Sequence, residues 1–260
     1  MSLITESALR AMQKTGIPTP FFLGKGDILT PAAADFLRGR GIQVKAFEEQ
    51  PDEELAAQTP REIPLGVSNR HVHLSLEHVE RLFGKGHSLT PMRELSQPGQ
   101  FACEETVTLV GPKGSIHGVR ILGPARTQTQ VEISRTDGYV LGVAAPLRMS
   151  GDIEGTPGLV LVTGRGTVVL EKGVIVAKRH VHMSVQEAQQ FQVQDGDSLI
   201  LETQTDRPIV YPDVIVRVDP RFALDFHVDL DEGNAANVKT GDRVKVIGKN
   251  GRFYSDYRRG

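Results

Sequence analysis

Beyond Arg61 the chain is a succession of short β-type runs broken by turn residues, and this texture limits its fold more than any other feature. "TVTLV" stands before "GPKG", "SIHGVRIL" before "GP" and "TQVEIS" before "TDG"; "LVLVTG", "GTVVLEKG" and "VIVRVDP" have the same make-up. Short strands with turn signals at roughly ten-residue spacing fit a sandwich or a barrel rather than a parallel sheet. The 27 glycines and 15 prolines supply the punctuation. Two helices interrupt the pattern. One is "SLEHVERLFG", with Ser75 as N-cap, and the other is "SVQEAQQF", where Ser184 and Glu187 have capping-box spacing.

The β region repeats itself. "GVSNRHVHLS" (66–75) and "IVAKRHVHMS" (175–184) hold four of the eight histidines. After each Arg-His-Val-His come a serine, a helix, a Gly-containing turn and a Ser-Leu strand start, at Ser88-Leu89 and at Ser198-Leu199. Further on, "VRILGPARTQTQVEISRTDG" overlays "VRVDPRFALDFHVDLDEG". This sets Arg126 over Arg221, Glu132 over His227 and Asp137-Gly138 over Glu232-Gly233. An internal duplication of a β-rich unit is the economical explanation.

Side chains at i and i+2 of a strand share a face. His71 and His73 can therefore hold one metal ion, and His180 and His182 another. The overlay gives each pair a third donor at an equivalent place, Glu132 or His227. Three N/O ligands with an open position are the pattern of a catalytic zinc site, whereas a closed set of four is structural. Single His-x-His pairs in β proteins are mostly packing or surface features; two copies in one repeated frame favour metal binding. His78 on a helix, His87 at a turn and His117 in a strand lack that support and read as structural or solvated. Arg126 and Arg221 are candidate oxyanion holders, because guanidinium binds such groups bidentately. Each stands six residues before a ligand, so Arg126 reaches the site only if "ARTQTQ" turns, and Arg221 reads as a surface residue. There is no G-x-S-x-G elbow, P-loop or dinucleotide fingerprint. Cys103 has acidic neighbours and reads as a buried structural residue. The substrates must therefore bring the nucleophile.

A formal charge of −2 gives no long-range pull on nucleic acid or anionic lipid. One cysteine forms no intrachain disulfide and fits a reducing cytoplasm. No run approaches the ~18 apolar residues of a membrane span, and the start lacks a secretion signal. A cytoplasmic protein with neither nucleic-acid nor membrane partners is expected. The segment before the β region reads as helical. Ile4, Ala8 and Met12, with Leu9 beside them, form a narrow apolar stripe stopped by Gly16, Pro18 and Pro20. Thr30 caps a second helix, with Pro31 at its first position and Gly41 at its far end. "FEEQPDEELAAQTPRE" is a polar linker ending near Arg61.

From Ile63 to about Ile247 the chain resembles the microcompartment-type phosphate acyltransferases, the phosphate propanoyltransferase family. "IPLGVSNRHVHLS", "FACEETVTLVGPKG", "VRILGPARTQTQVEIS", "LRMSGDIEGTPG" and "KRHVHMS" carry the resemblance. It implies two small β-barrels with short capping helices and two zinc ions between them, with strands exchanged between barrels. One barrel would take 61–69 with 178–260 and the other 70–177, after a helical extension at 1–60. It implies His71, His73 and Glu132 at one zinc and His180, His182 and His227 at the other, with Arg126 as the essential arginine. The implied reaction interconverts an acyl-CoA plus phosphate with an acyl phosphate plus CoA, and the implied assembly is a homodimer. On the same footing, the zinc of His71/His73/Glu132 takes the CoA sulfur while the other zinc and Arg126 hold the attacking phosphate. Cobalt or another divalent ion could replace zinc at such donors. The stretch "LITESALRAMQK" is similar to peptides that direct enzymes into bacterial microcompartments, through shell or cargo proteins. A dinuclear zinc hydrolase and a zinc-stapled scaffold module are the rival readings.

Overall fold

Alternating apolar residues turn one face of each short strand into a core, and in residues 62–255 they build two sheets. The computed structural model describes residues 3–12, 17, 21–23, 27–46, 62–255 and 257. Gly16, Pro18, Pro20 and the linker at 47–61 lie outside them. The chain divides into two units, Met1–Glu54 and Leu55–Gly260.

In the second unit, strands Ser198–Thr203, Val210–Val218, His180–Met183, Asp225–Asp229, Glu62–Ser68 and Arg243–Lys249 follow one another. Ser198–Thr203 pairs with both Val210–Val218 and Arg243–Lys249, which closes a six-stranded barrel. Closure leaves no free edge among these strands. Its interior is filled by Ile63, Leu65, Val181, Met183, Leu199, Leu201, Val214, Val216, Phe226, Val244 and Val246. The other sheet has nine strands and is an open half-barrel. Around its middle run Val174–Ala177, Gln130–Glu132, His71–His73, Ser115–Gly123 and Phe101–Val110, over a core that includes Val72, Leu109, Ile121, Val131, Leu161 and Val174.

The strand that leads into each His-Val-His belongs to the opposite sheet. Glu62–Ser68 precedes His71 but lies in the barrel, parallel to Asp225–Asp229 with Gly66 opposite His227. Val174–Ala177 precedes His180 but lies in the half-barrel, parallel to Gln130–Glu132 with Ile175 opposite Glu132. The chain crosses between sheets at Asn69-Arg70 and at Lys178-Arg179.

Among the described residues of this unit, four helices rather than two interrupt the strands. Leu76–Phe83 and Val185–Phe191 stand where the sequence puts them, capped by Ser75 and Ser184, the latter with Glu187 in a capping box. Arg135–Leu141 and Leu230–Ala236 are the additional pair. Asp137-Gly138, read from the sequence as a turn signal, and its aligned Glu232-Gly233 both lie inside these helices. Each acid is the third residue of a capping box begun by Ser134 or Asp229. Each glycine permits close packing: a Cβ on Gly138 would stand 2.8 Å from the Val143 carbonyl oxygen, and one on Gly233 2.9 Å from Val67 Cγ1. Seven residues display little apolar period, and here, unlike at Val185–Phe191, a turn-like dipeptide dominates the sequence signal.

The first unit contains the two expected helices, Glu6–Met12 and Pro31–Arg38. Thr30 Oγ1 accepts the Ala33 N–H at 3.3 Å as the N-cap of the second. Two short parallel strand pairs accompany them, Leu3–Ile4 with Ile28–Leu29 and Phe21–Leu23 with Val44–Ala46. Leu9 is fully buried with Ala33, Phe36 and Leu37, whereas Ala8 and Met12 are exposed. A helix of two turns seats one residue deeply rather than a whole stripe. Among the described residues, no helix is long and apolar enough to cross a membrane.

Candidate active site

Both His-Val-His segments are strands with alternate residues divided between core and cleft. Val72 and Val181 are fully buried in the two hydrophobic cores. His71, His73, His180 and His182 point the other way, into one cleft of about 260 Å³ between the sheets. Antiparallel pairing sets Glu132 directly opposite His71 and His227 directly opposite His180. In this way two triads form, His71/His73/Glu132 and His180/His182/His227, with the donor atoms of each within 4.8 Å of one another.

One pair of donors in each triad lies close to the edge length of a tetrahedral zinc site. His71 Nε2 lies 3.4 Å from Glu132 Oε2, and His180 Nε2 lies 3.0 Å from His182 Nε2. Zinc bonds of about 2.0–2.1 Å give a tetrahedral edge of about 3.3 Å. Backbone contacts fix the tautomers: His71 Nδ1–H donates to the Asn69 carbonyl and His180 Nδ1–H to the Lys178 carbonyl, each at 2.8 Å. Both rings therefore turn an Nε2 lone pair inward. The residue two before each third donor steadies it from the same strand face. Gln130 Nε2–H donates to Glu132 Oε1 at 2.6 Å, and His227 Nε2–H donates to Asp225 Oδ2 at 2.9 Å.

Burial keeps most of these rings in the neutral form that binds metal. Burial, then repulsion from His71 and Arg126, holds His73 at about 3. Burial and neighbouring histidines hold His180 at about 4 and His182 at about 2. Burial alone would raise the Glu132 carboxyl, but His71, His73 and His180 outweigh it and hold the group well below the usual carboxylate range. His71 is pulled down by burial and raised further by Glu132. For His73, His180 and His182 the folded value lies below the unfolded 6.5. Between the two values the unfolded chain binds more protons, so acid favours unfolding. Each of the three withdraws on the order of 1–2 kcal/mol at pH 5. His71, raised, contributes stability that builds as pH falls through its folded value and is complete below 6.5; from there to pH 5 it adds nothing more while the other three go on withdrawing. The melting temperature of chelator-treated protein should fall between pH 7.5 and pH 5. A constant or rising value would mean that these rings are open to water.

Arg126 reaches the cleft because the chain between the flanking strands turns. Residues 124–129 are not in a strand; Arg126 N–H donates to the Leu74 carbonyl at 2.8 Å, and Arg126 bridges to Ser75. Its guanidinium donates to Ser150 Oγ at 3.4 Å and lines the cleft beside Arg217. Burial, and to a lesser degree Arg217, lower its pKa, while Glu132 raises it. Arg221 is exposed and is held by Asp219 at 2.9 Å.

The chain matches the family sequence model of phosphate propanoyltransferases over residues 64–239. It is 56% identical to the phosphate propanoyltransferase of Thermotoga maritima over 186 residues, covering 71% of this chain and 89% of that one. It is 49% identical over 204 residues to the enzyme of that name from Alkaliphilus metalliredigens, covering 78% and 93% of the two chains. To that from Salmonella typhimurium it is 53% identical over 177 residues, covering 68% and 84%. The chain belongs to the phosphate propanoyltransferase family. It is an acyltransferase. Both triads and Arg126 fall inside the span matched to this family, and the first unit precedes it.

Within this acyltransferase, other side chains complete the cleft without having stood out in the sequence. Gln130 donates to Ser150 Oγ at 2.9 Å and accepts the Gly151 N–H at 2.7 Å, so it links Glu132 to the loop behind Arg126. Buried Gln97 clasps Ala223 from the other sheet, donating to its carbonyl at 3.0 Å and accepting its N–H at 3.2 Å. Asp225 and Gln130 were missed, although a polar residue two before a third donor is the signal that could have found them. Arg217 carried no such mark, since only strand pairing sets it opposite His182. His78, His87 and His117 are not among the residues lining the cleft. His78 and His87 bond to Thr129 and Glu105 at 2.7 and 2.8 Å. Cys103 is fully buried in the half-barrel core, its thiol pushed up to about 11 by burial and by Glu105.

Proposed function

We propose that this acyltransferase interconverts a short-chain acyl-CoA plus inorganic phosphate with the acyl phosphate plus CoA. Two zinc ions would be held, one by His71, His73 and Glu132 and one by His180, His182 and His227. The observation that carries this reading is the opening of both triads and Arg126 into one cleft. Clustered nitrogen and carboxylate-oxygen donors of this kind suit zinc, and cobalt could take its place. When bound, such ions supply Lewis acidity that stabilises a thiolate or an oxyanion.

The chain's own residues do the rest. Arg126 keeps its charge despite burial, because guanidinium does not lose its proton in proteins. It grips phosphate through paired N–H donors, with Ser150 steadying the guanidinium and Arg217 adding positive charge to the cleft wall. The bound phosphate attacks the thioester carbonyl through its own oxygen: the C–O bond forms, the C–S bond breaks, and CoA leaves as the thiolate. Holding both substrates in one cleft supplies the proximity that a two-substrate reaction needs. No acyl-enzyme is required, in keeping with a Cys103 that is sealed in the core. The first unit is read as an address for a microcompartment shell or cargo protein, and two chains as the assembly; resemblance supports both.

The test is CoA release from acetyl-CoA and propanoyl-CoA by zinc-loaded protein, with and without phosphate. Release that needs phosphate, with acyl phosphate formed in step, is expected. Release indifferent to phosphate would make the protein a hydrolase, and none from a two-metal protein would leave a structural role.

A further inference from the structure

In both copies of the Arg-His-Val-His frame the arginine has a partner that the chemistry above does not use. Arg70 Nε and Nη2 each lie 2.8 Å from Oδ1 of Asp137. Arg179 Nε lies 3.0 Å from Oε1 of Glu232. The second oxygen of each carboxylate accepts a backbone N–H at a helix start: Asp137 Oδ2 from Ser134 at 3.1 Å, and Glu232 Oε2 from Asp229 at 3.4 Å. Ser134 and Asp229 stand two residues after Glu132 and His227. Each acid therefore clamps the residue just before one histidine pair to the turn just after that pair's third donor.

We propose that Arg70 and Arg179 are positioning residues, each setting the metal affinity of its own triad through Asp137 or Glu232. This inference rests on the metal reading given above. The two strands of each triad are short, with only Gln130–Glu132 presenting Glu132 and Asp225–Asp229 presenting His227. Ladder hydrogen bonds set their register, but the distance between His71 and Glu132 also depends on what anchors the strand ends. A charge-assisted contact to a carboxylate that is 5% exposed is a firm anchor. Groups that orient metal ligands from behind change affinity by about 10–100-fold when removed. The two clamps differ in redundancy. Arg179 also faces Asp213 at 3.6 Å and lies over the Tyr211 ring at 5.1 Å, so the second triad should depend less on its clamp.

The experiment is zinc competition against a chromophoric chelator on the full chain, resolving both ions. R70A should raise the dissociation constant of one ion roughly 10–100-fold and leave the other unchanged. R179A should loosen the other ion, by less. D137N keeps an acceptor for the helix start but loses the charge, and should reproduce R70A; R70K should fall between R70A and the parent. In a chain carrying His180→Ala and His182→Ala, the remaining ion reports the first triad directly, and R70A should loosen it. Both ions held as tightly in R70A and D137N as in the parent would overturn the inference alone. So would equal loosening of both ions, which signals general destabilisation. A parent that binds no zinc would overturn the metal reading, and this inference with it.

Discussion

Replacing Arg126 with alanine should lower phosphate-dependent CoA release by on the order of 10²–10³-fold, the usual cost of one preorganised donor at a developing charge. Zinc content should stay at the parental level, because Arg126 is no donor in either triad. The side chain bonds to Ser150 at the cleft wall, and its backbone N–H donates to Leu74 whatever the side chain is, so the loop keeps its anchor. C103A is the companion variant. Its side chain is sealed in the half-barrel core and its thiol is held protonated, so turnover should persist. Normal rates in R126A would remove the phosphate role, and loss of turnover in a folded C103A would bring back a covalent route.

The second large effect concerns the metals. On the proposed two-zinc reading, His180→Ala with His182→Ala should reduce bound zinc from two ions to one and lower turnover by about 10³-fold or more, the scale on which loss of a metal ion's charge would tell. The barrel should survive, since Val181 and Met183 carry that strand's share of the core and are untouched. Metal analysis beside a melting curve separates the outcomes. Two ions retained in the folded double variant would mean that the triad is not a metal site.

The grouping of side chains was more legible than the topology. His71 with His73 and His180 with His182 follow from strand alternation alone, which holds wherever the strand is placed. Glu132 and His227 follow from overlaying the repeats, because duplicated units keep the same register and each residue ends opposite the first histidine of its pair. Arg217 was hidden, since its register against His182 arises from contacts distant in sequence. The crossings at Asn69-Arg70 and Lys178-Arg179 were equally silent in the local pattern. "IPLGVS" and "VIVA" have the apolar content of buried strands, but nothing in them says which sheet they join. The short helices at Arg135 and Leu230 hid behind Asp-Gly and Glu-Gly, where capping and close packing use the same residues as turns.

Those crossings bear on how such a chain arose. Each repeat lends its leading strand to the other's sheet, next to the strand that holds the other's third donor. A single-copy ancestor would have had that strand left over, and an identical second chain is the partner that would complete it. Two such chains exchanging strands about a two-fold axis would enclose one cleft between them. In a single chain the pairing is intramolecular, with an effective concentration that no dilution can lower. With both walls in one chain the two need not be alike, and here they carry unlike third donors, Glu132 and His227, with Arg126 on one side only.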